Sequence, residues 1–208
     1  LLIYTGKEKI NLPGEVVHFY IKDIDPVFVA QNIRILAPAL FPDDNSITAD
    51  IDDLPLSKKY FIDNVQDIPE HMFVVYRWGF ITKTMIPICW TLAKGSTWSD
   101  IFNIKDEHDI IKKLIDWYPL NYHKGHENWY TDQLKLKKYI SKFDKKYKNR
   151  VIYFNDQYLH FNRIDRDEID SVVYNLENKN VEYSDYHMPI PYNQYKEVIE
   201  KIYNLSIQ

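Results

Sequence analysis

Cysteine and glycine are scarce in this chain. Cys89 is the only cysteine among 208 residues, which excludes an intrachain disulfide framework and every zinc site built from several cysteines. Only 5 residues are glycines, and none of them forms the glycine-rich phosphate loop that a nucleotidyltransferase of similar layering would carry near its start. The single thiol is compatible with a reducing compartment, and we expect a cytoplasmic protein.

A basic surplus and a long apolar run are missing as well. The net charge of -4 argues against a nucleic-acid partner, because a protein that neutralises many phosphates carries a basic surplus or stripe. No segment approaches the roughly 20 apolar residues of a membrane span, so we expect none. The hydrophobic content of 45% can still bury a sizeable core, and we expect one domain over residues 1–208.

Strand-like and helix-like patterns alternate along the chain. Strand-like apolar runs lie at residues 1–6, 16–21, 46–49, 73–78, 85–92, 151–154 and 158–161. Helical spacings lie at residues 25–40, 57–62, 106–117, 129–143 and 191–203. This alternation predicts an α/β fold with covered sheet faces, in which ligands collect at the carboxyl ends of the strands.

The most informative motif is an acidic D-x-D that follows a short apolar run. We interpret residues 46–49 as a buried strand that brings Asp50 and Asp52 to one face of a sheet edge, while Ile51 packs the other way. Carboxylates suit Mg²⁺ or Mn²⁺, and these ions keep positions open for substrate phosphates, so a diphosphate is the natural ligand. The alternative is an acidic turn, because aspartate is common in turns.

Two further candidates lie in the second half of the chain. His187 stands in a segment that Pro189 and Pro191 constrain before the last helix, and an imidazole beside two carboxylates favours Mn²⁺. A structural or merely exposed histidine is the alternative. Asp132 lies at the start of a predicted helix, where it either points into a cleft or caps the helix.

Four segments in this order, residues 31–40, 49–56, 129–133 and 186–189, resemble the nucleotide-sugar glycosyltransferases of the GT-A fold. The likeness is greatest to the small metal-dependent enzymes of bacterial polysaccharide and large-DNA-virus glycan synthesis, including the chlorovirus-type glycosyltransferase domain. It covers most of the chain and implies a single GT-A domain with a mixed, mostly parallel central sheet flanked by helices. It also implies that the chain starts after the first, nucleotide-binding strand of that fold.

The resemblance implies a UDP-sugar-dependent hexosyltransferase that uses Mn²⁺ or Mg²⁺ and a glycan or protein-linked sugar as the acceptor. Asp52 and His187 would bind the ion, and Asp50 would share it or contact the donor ribose. Arg34 would bind the donor phosphates or the D-x-D carboxylates, because its charged fork suits both. Asp132 would face the reacting sugar. If the gene is viral, the protein would act in the host cytoplasm.

Other assignments and functions remain open at this stage. Lys94 and Gly95 follow a strand and could place a cation and backbone amides beside the donor, or simply form a turn before a helix. Arg163, Asp165 and Arg166 could bind sugar hydroxyls or form surface ion pairs. A metal-dependent phosphohydrolase and a catalytically silent carbohydrate-binding domain are the alternative functions. The sequence leaves the sugar, the acceptor and the stereochemical outcome open.

Overall fold

In a computed structural model, the chain forms two compact units, and the structure describes residues 2–8, 10–11, 13–179 and 181–206. The first unit comprises residues 1–48, 70–75 and 80–152, and the second comprises residues 49–69, 76–79 and 153–208. One domain over residues 1–208 stays a prediction, because two compact units can belong to one domain or to two.

Strands and helices alternate through both units. The strands are β1 (Leu2–Tyr4), β2 (Val16–His18), β3 (Asn45–Ala49), β4 (Asp53–Pro55), β5 (Phe73–Val75), β6 (Trp90–Lys94), β7 (Val151–Tyr153), β8 (Asn162–Ile164) and β9 (Tyr183–His187). The helices are α1 (Pro26–Ile33), α2 (Gly95–Phe102), α3 (Glu107–Trp117), α4 (Thr131–Tyr147), α5 (Asp156–Leu159), α6 (Ile169–Glu177) and α7 (Tyr192–Ser206). Short 3₁₀ segments and one π-helical turn also occur, at Ala37–Leu40, Trp78–Phe80, Glu127–Tyr130 and Lys59–Asp63.

The first unit is built on a four-stranded sheet with the order β3-β6-β5-β7. β5 and β6 pair antiparallel, and β5 is buried along its whole length. The ring of Trp98 in α2 meets the ring of Phe73 in β5 edge-on, with 4.9 Å between their centroids. In α3 the buried side chains of Ile110 and Leu114 follow the helical period, and the Asp106 carboxylate caps the helix by accepting the N–H of Asp109. A separate parallel pair, β1 with β2, lies near the start of the chain.

The second unit is built on a three-stranded sheet with the order β4-β9-β8. β9 pairs antiparallel with β4 and parallel with β8. Helices α6 and α7 pack apolar side chains against this sheet. The buried cluster consists of Leu56, Ile164, Val172, Tyr186, Ile199 and Ile202.

These sheets confirm the predicted mixed α/β class, since parallel and antiparallel pairs occur together. The helices expected at 106–117, 129–143 and 191–203 correspond to α3, α4 and α7. The strand expected at 158–161 is wrong, because helix α5 occupies part of that segment and the strand begins at Asn162. Leu1, the first residue of the expected run 1–6, lies outside the described residues. No helix in the described part of the chain combines the length and apolarity needed to cross a membrane.

Candidate active site

The D-x-D motif lies in a turn and not on a strand. β3 ends at Ala49, β4 begins at Asp53, and the Asp53 N–H donates to the Asp50 carbonyl oxygen across the turn at 3.1 Å. Ile51 is 88% exposed. The strand predicted at residues 46–49 is confirmed as β3, but the expectation that residues 50–52 continue it with Ile51 packed on the other face is wrong, and the acidic-turn alternative describes the backbone there. Aspartate favours turns because its short carboxylate bonds to nearby backbone groups. The chain also passes from the first unit to the second at residues 48–49.

Pairing of β4 with β9 brings Asp52 to His187. In this antiparallel ladder Asp53 lies opposite His187, and the Met188 N–H donates to the Asp52 carbonyl oxygen at 2.7 Å. As a result, Nε2 of His187 lies 3.7 Å from Oδ2 of Asp52. Two of the three predicted metal ligands thus meet although they are far apart in the sequence.

Arg166 contacts both of these side chains. Its Nη2 donates to Oδ2 of Asp52 and lies 2.6 Å from Nε2 of His187. Because arginine can only donate, Nε2 of His187 must accept, so the imidazole is neutral with its proton on Nδ1. Burial lowers the pKa of His187, and the positive charges of Arg163 and Arg166 lower it further. The imidazole is therefore held in the form that a metal ion requires.

The Asp52 and His187 side chains match a metal site in kind but not in number. A carboxylate oxygen and a neutral imidazole nitrogen are donors that Mn²⁺ takes, and 3.7 Å is within the ~4.2 Å that two ligands of one ion can span. Among the residues that the structure describes, however, no group of three or more His, Cys, Asp or Glu side chains could hold a metal ion. In this arrangement Asp50 does not form such a group with Asp52 and His187, and sharing of an ion by Asp50 stays a prediction.

A layer of buried ion pairs lies next to these residues in the second unit. Nη2 of Arg163 donates to Oδ1 of Asp53 at 2.6 Å, and both side chains are buried or nearly so. Arg77 donates to the Asp185 carboxylate and to Oγ of Ser184, the latter at 2.6 Å. These pairs join the three strands of the sheet with the Arg77 segment. Arg163 also takes part in an ion pair at the surface, because its Nε lies 3.4 Å from Oδ1 of Asp165, whose side chain is 60% exposed. The ion-pair alternative thus holds for these two residues, and binding of sugar hydroxyls by Arg163, Asp165 and Arg166 stays a prediction.

Sequence reasoning missed Arg77, Ser184 and Asp185. All three are polar and fully buried, whereas such residue types are mostly exposed in proteins. β9 was not predicted as a strand, because its sequence of Tyr, Ser, Asp, Tyr and His lacks a continuous apolar run. The strand could have been predicted from the alternation of its side chains, because Tyr186 belongs to the apolar cluster while the residues on either side of it are polar.

Asp53 gives this part of the molecule a pH dependence that can be measured. Burial raises the pKa of Asp53 to about 7. The charge of Arg163 opposes this rise, and the nearby carboxylates of Asp50 and Asp52 add to it. A carboxyl group whose pKa is raised on folding stabilises the folded state below the unfolded pKa near 4, and that stabilisation is lost as the pH rises towards 7.

We therefore expect the melting temperature of metal-free wild-type protein to fall between pH 4.5 and 7.5 more steeply than that of Asp53→Asn. Asparagine keeps the shape of the side chain but has no proton to lose. Scanning fluorimetry of both proteins across this range measures the difference. Equal slopes would contradict the assignment of the titration to Asp53.

In the first unit the two predicted residues Arg34 and Asp132 contact each other. Nη2 of Arg34 donates to Oδ2 of Asp132 at 2.6 Å, and the Asp132 side chain is only 2% exposed. Oδ1 of Asp132 also accepts the N–H of Gln133 at 2.7 Å, at the start of α4. The structure thus gives Arg34 a carboxylate partner, but that partner is Asp132 and not the D-x-D motif. A role of Asp132 at the reacting sugar stays a prediction.

Lys94 and Gly95 have structural partners within the first unit. Nζ of Lys94 donates to the Glu70 carboxylate at 2.6 Å, and this hydrogen bond raises the pKa of Lys94. The Gly95 N–H donates to the carbonyl oxygen of Asp44 at 2.8 Å, and the next amide, that of Ser96, donates to the carbonyl of residue 42 at 3.0 Å. The first amides of α2 are therefore used within the fold. Donor binding by Lys94 and Gly95 stays a prediction.

Gly95 is required for close packing of α2. A Cβ at this position would stand 2.7 Å from the carbonyl oxygen of Pro38 and closer still to that of Phe41. Both obstacles are backbone atoms, which cannot turn away. We expect Gly95→Ala to lower the free energy of unfolding by about 3 kcal/mol, the upper range for overpacking. Urea unfolding measures this, with the exposed Ser96→Ala as the control expected to change it by less than about 0.5 kcal/mol. Equal stability of the two variants would contradict the packing argument.

Comparison with known proteins reveals no relative of this chain. No family model, no curated protein and no solved structure matches the chain. We therefore infer the function from the residues and from the geometry of each unit.

Proposed function

We propose that the protein is a metal-dependent glycosyltransferase of the GT-A type, which transfers a hexose from a UDP-sugar to a hydroxyl of a glycan or protein-linked sugar. The observation that supports this proposal is the approach of Asp52 to His187 at 3.7 Å, made by the pairing of β4 with β9. A D-x-D carboxylate beside a neutral imidazole is the donor set that the resemblance implies for Mn²⁺. Glycan biosynthesis is the process in which such a transfer would take part.

The reaction breaks the bond between the anomeric carbon and the diphosphate oxygen and forms a bond from the same carbon to the acceptor oxygen. Negative charge develops on the leaving diphosphate and positive charge on the sugar ring. When bound, the divalent ion supplies a Lewis acid for the leaving oxygens. In this proposal Asp52 and His187 hold the ion, and Asp50 shares it or contacts the ribose. Lys94 and Gly95 are the weaker candidates for donor contact, since both have partners within the fold.

Asp132 is the proposed carboxylate beside the reacting sugar. It either takes the proton of the acceptor hydroxyl or stabilises the positive charge at the anomeric carbon, and neither role needs a covalent intermediate. The ion pair with Arg34 fixes the orientation of this carboxylate within the first unit. In the proposal Arg34 is therefore a positioning residue for Asp132, in addition to the phosphate role that the resemblance implies.

A donor-hydrolysis screen tests the proposal. UDP-, GDP- and dTDP-sugars are incubated with the protein, with and without Mn²⁺, and the released nucleotide is measured. Release of UDP from one UDP-sugar, only in the presence of the ion, is the expected result. Hydrolysis of simple phosphate esters instead would favour the phosphohydrolase. No turnover and no binding of any donor would favour the silent carbohydrate-binding domain.

A further inference from the structure

The guanidinium of Arg166 lies where an ion held by Asp52 and His187 would lie. One nitrogen, Nη2, contacts both the carboxylate oxygen and the imidazole Nε2 that were predicted to bind the metal. A divalent ion bonded to the same two atoms would need the same space. Arg166 and the ion therefore cannot both contact these atoms in this arrangement.

Arg166 is held less firmly than the other two arginines of the second unit. Its side chain is 33% exposed, whereas those of Arg77 and Arg163 are 2% and 13% exposed. The hydrogen bonds that the structure gives to its guanidinium are those to Asp52 and His187. Loss of these two contacts would free the side chain.

The fold offers the freed side chain another acidic environment. Arg166 lines a cavity of about 610 Å³ whose wall also includes Asp167 and Glu168. A guanidinium that leaves Asp52 can keep its aliphatic part on the protein and place its charge beside these carboxylates. The loss of the first ion pair is therefore partly offset.

We propose that Arg166 is an internal cation that occupies the Asp52–His187 site and must be displaced before a divalent ion can bind there. Arg166 thereby sets the metal affinity of the site and holds its two donor atoms in place while the ion is absent. The inference rests on the metal site of the proposed function. If Arg166 instead helped to bind the ion or had a purely structural role, its removal would weaken metal binding or leave it unchanged. As a competitor of the ion, Arg166 should when removed strengthen metal binding.

Direct titration with Mn²⁺ tests the inference without any sugar donor. Electron paramagnetic resonance reports the free ion, so the dissociation constant of the intact protein is obtained from the ion alone. Arg166→Met keeps the aliphatic length and removes the charge. If the guanidinium occupies the site in about nine molecules of ten, this substitution should strengthen Mn²⁺ binding about tenfold. Adding Asp52→Asn to Arg166→Met should abolish the gain.

A matched control and a second variant make the result decisive. Lys201→Gln removes one exposed positive charge from the same unit and should leave the dissociation constant unchanged within about twofold. Arg166→Lys keeps the charge but loses the planar fork, so it should bind Mn²⁺ more tightly than wild type and less tightly than Arg166→Met. If Arg166→Met fails to fold, Arg166→Lys decides, and affinity at or below that of wild type would overturn the inference.

The outcomes separate this inference from the proposed function. Wild type that binds Mn²⁺ through Asp52, with Arg166→Met binding no more tightly, would overturn the inference and leave the metal site in place. Folded wild type and folded Arg166→Met that both fail to bind Mn²⁺ would overturn the inference together with the metal assignment.

Discussion

Asp52→Ala is expected to abolish Mn²⁺-dependent binding of UDP. Asp52 supplies one of the two donor atoms that the structure brings together, and the other belongs to His187. Loss of an outer partner of a metal ligand already costs about 10–100-fold in affinity, so loss of a direct ligand should cost more than that. Isothermal titration of UDP with and without Mn²⁺ measures the effect. Binding of UDP by the variant at the strength of wild type would contradict the metal assignment.

The control for this experiment is Glu182→Ala. Glu182 is an exposed carboxylate of the same unit, paired with Lys59 at 3.3 Å. Glu182→Ala therefore removes one negative charge and an acidic side chain, as Asp52→Ala does. Surface pairs of this kind contribute about 0–1 kcal/mol, so the variant should bind UDP as wild type does. Both variants should keep their urea midpoints close to that of wild type, because the Asp52 side chain is only partly buried and that of Glu182 is 62% exposed. If both variants lost UDP binding, the effect would come from the loss of negative charge in general and not from the loss of a metal ligand.

Local structure was predictable where side chains act on their own segment. The proline at the start of α1, with Asp25 accepting the N–H of Val27, is a helix start that can be recognised in the sequence. The apolar period of α3 is equally local. The strand expected at residues 158–161 failed because its aromatic and apolar residues fit a helical turn as well as a strand, and short runs cannot be told apart by period.

The meeting of distant residues was predictable only through the resemblance. Asp52 with His187 and Arg34 with Asp132 are pairs that local patterns do not join, since strand pairing or tertiary packing brings their segments together. The sequence predicts for Arg166 only that it binds sugar hydroxyls or forms a surface ion pair. Its position on the two donor atoms depends on the register of β8, β9 and β4, which no single segment encodes.

Arg77→Met is expected to destabilise the protein by about 3–5 kcal/mol, the typical cost of removing one partner of a buried ion pair. The side chains of Arg77 and Asp185 are 2% and 0% exposed, so water cannot solvate the Asp185 carboxylate once the guanidinium is removed. Methionine has a similar length and must adopt the same positive φ of 64°, so the backbone strain largely cancels in the comparison. Urea unfolding measures the change. A loss below about 1 kcal/mol, as expected for the exposed pair of Lys201 and Glu177, would contradict the argument.

The double variant Arg77→Met with Asp185→Leu separates the loss of the ion pair itself from the cost of leaving the Asp185 carboxylate buried without a charge partner. If most of the loss comes from an uncompensated carboxylate in the sheet, removal of that carboxylate should restore part of the stability, because replacing a whole buried pair by apolar groups is often close to neutral. Nε of Arg163 lies 3.8 Å from Oδ2 of Asp185 and would lose this neighbour, so recovery should be incomplete. A double variant less stable than Arg77→Met would instead mean that the contacts of Asp185 to Arg163 and Ser184 stabilise the sheet by more than the unpartnered carboxylate destabilises it.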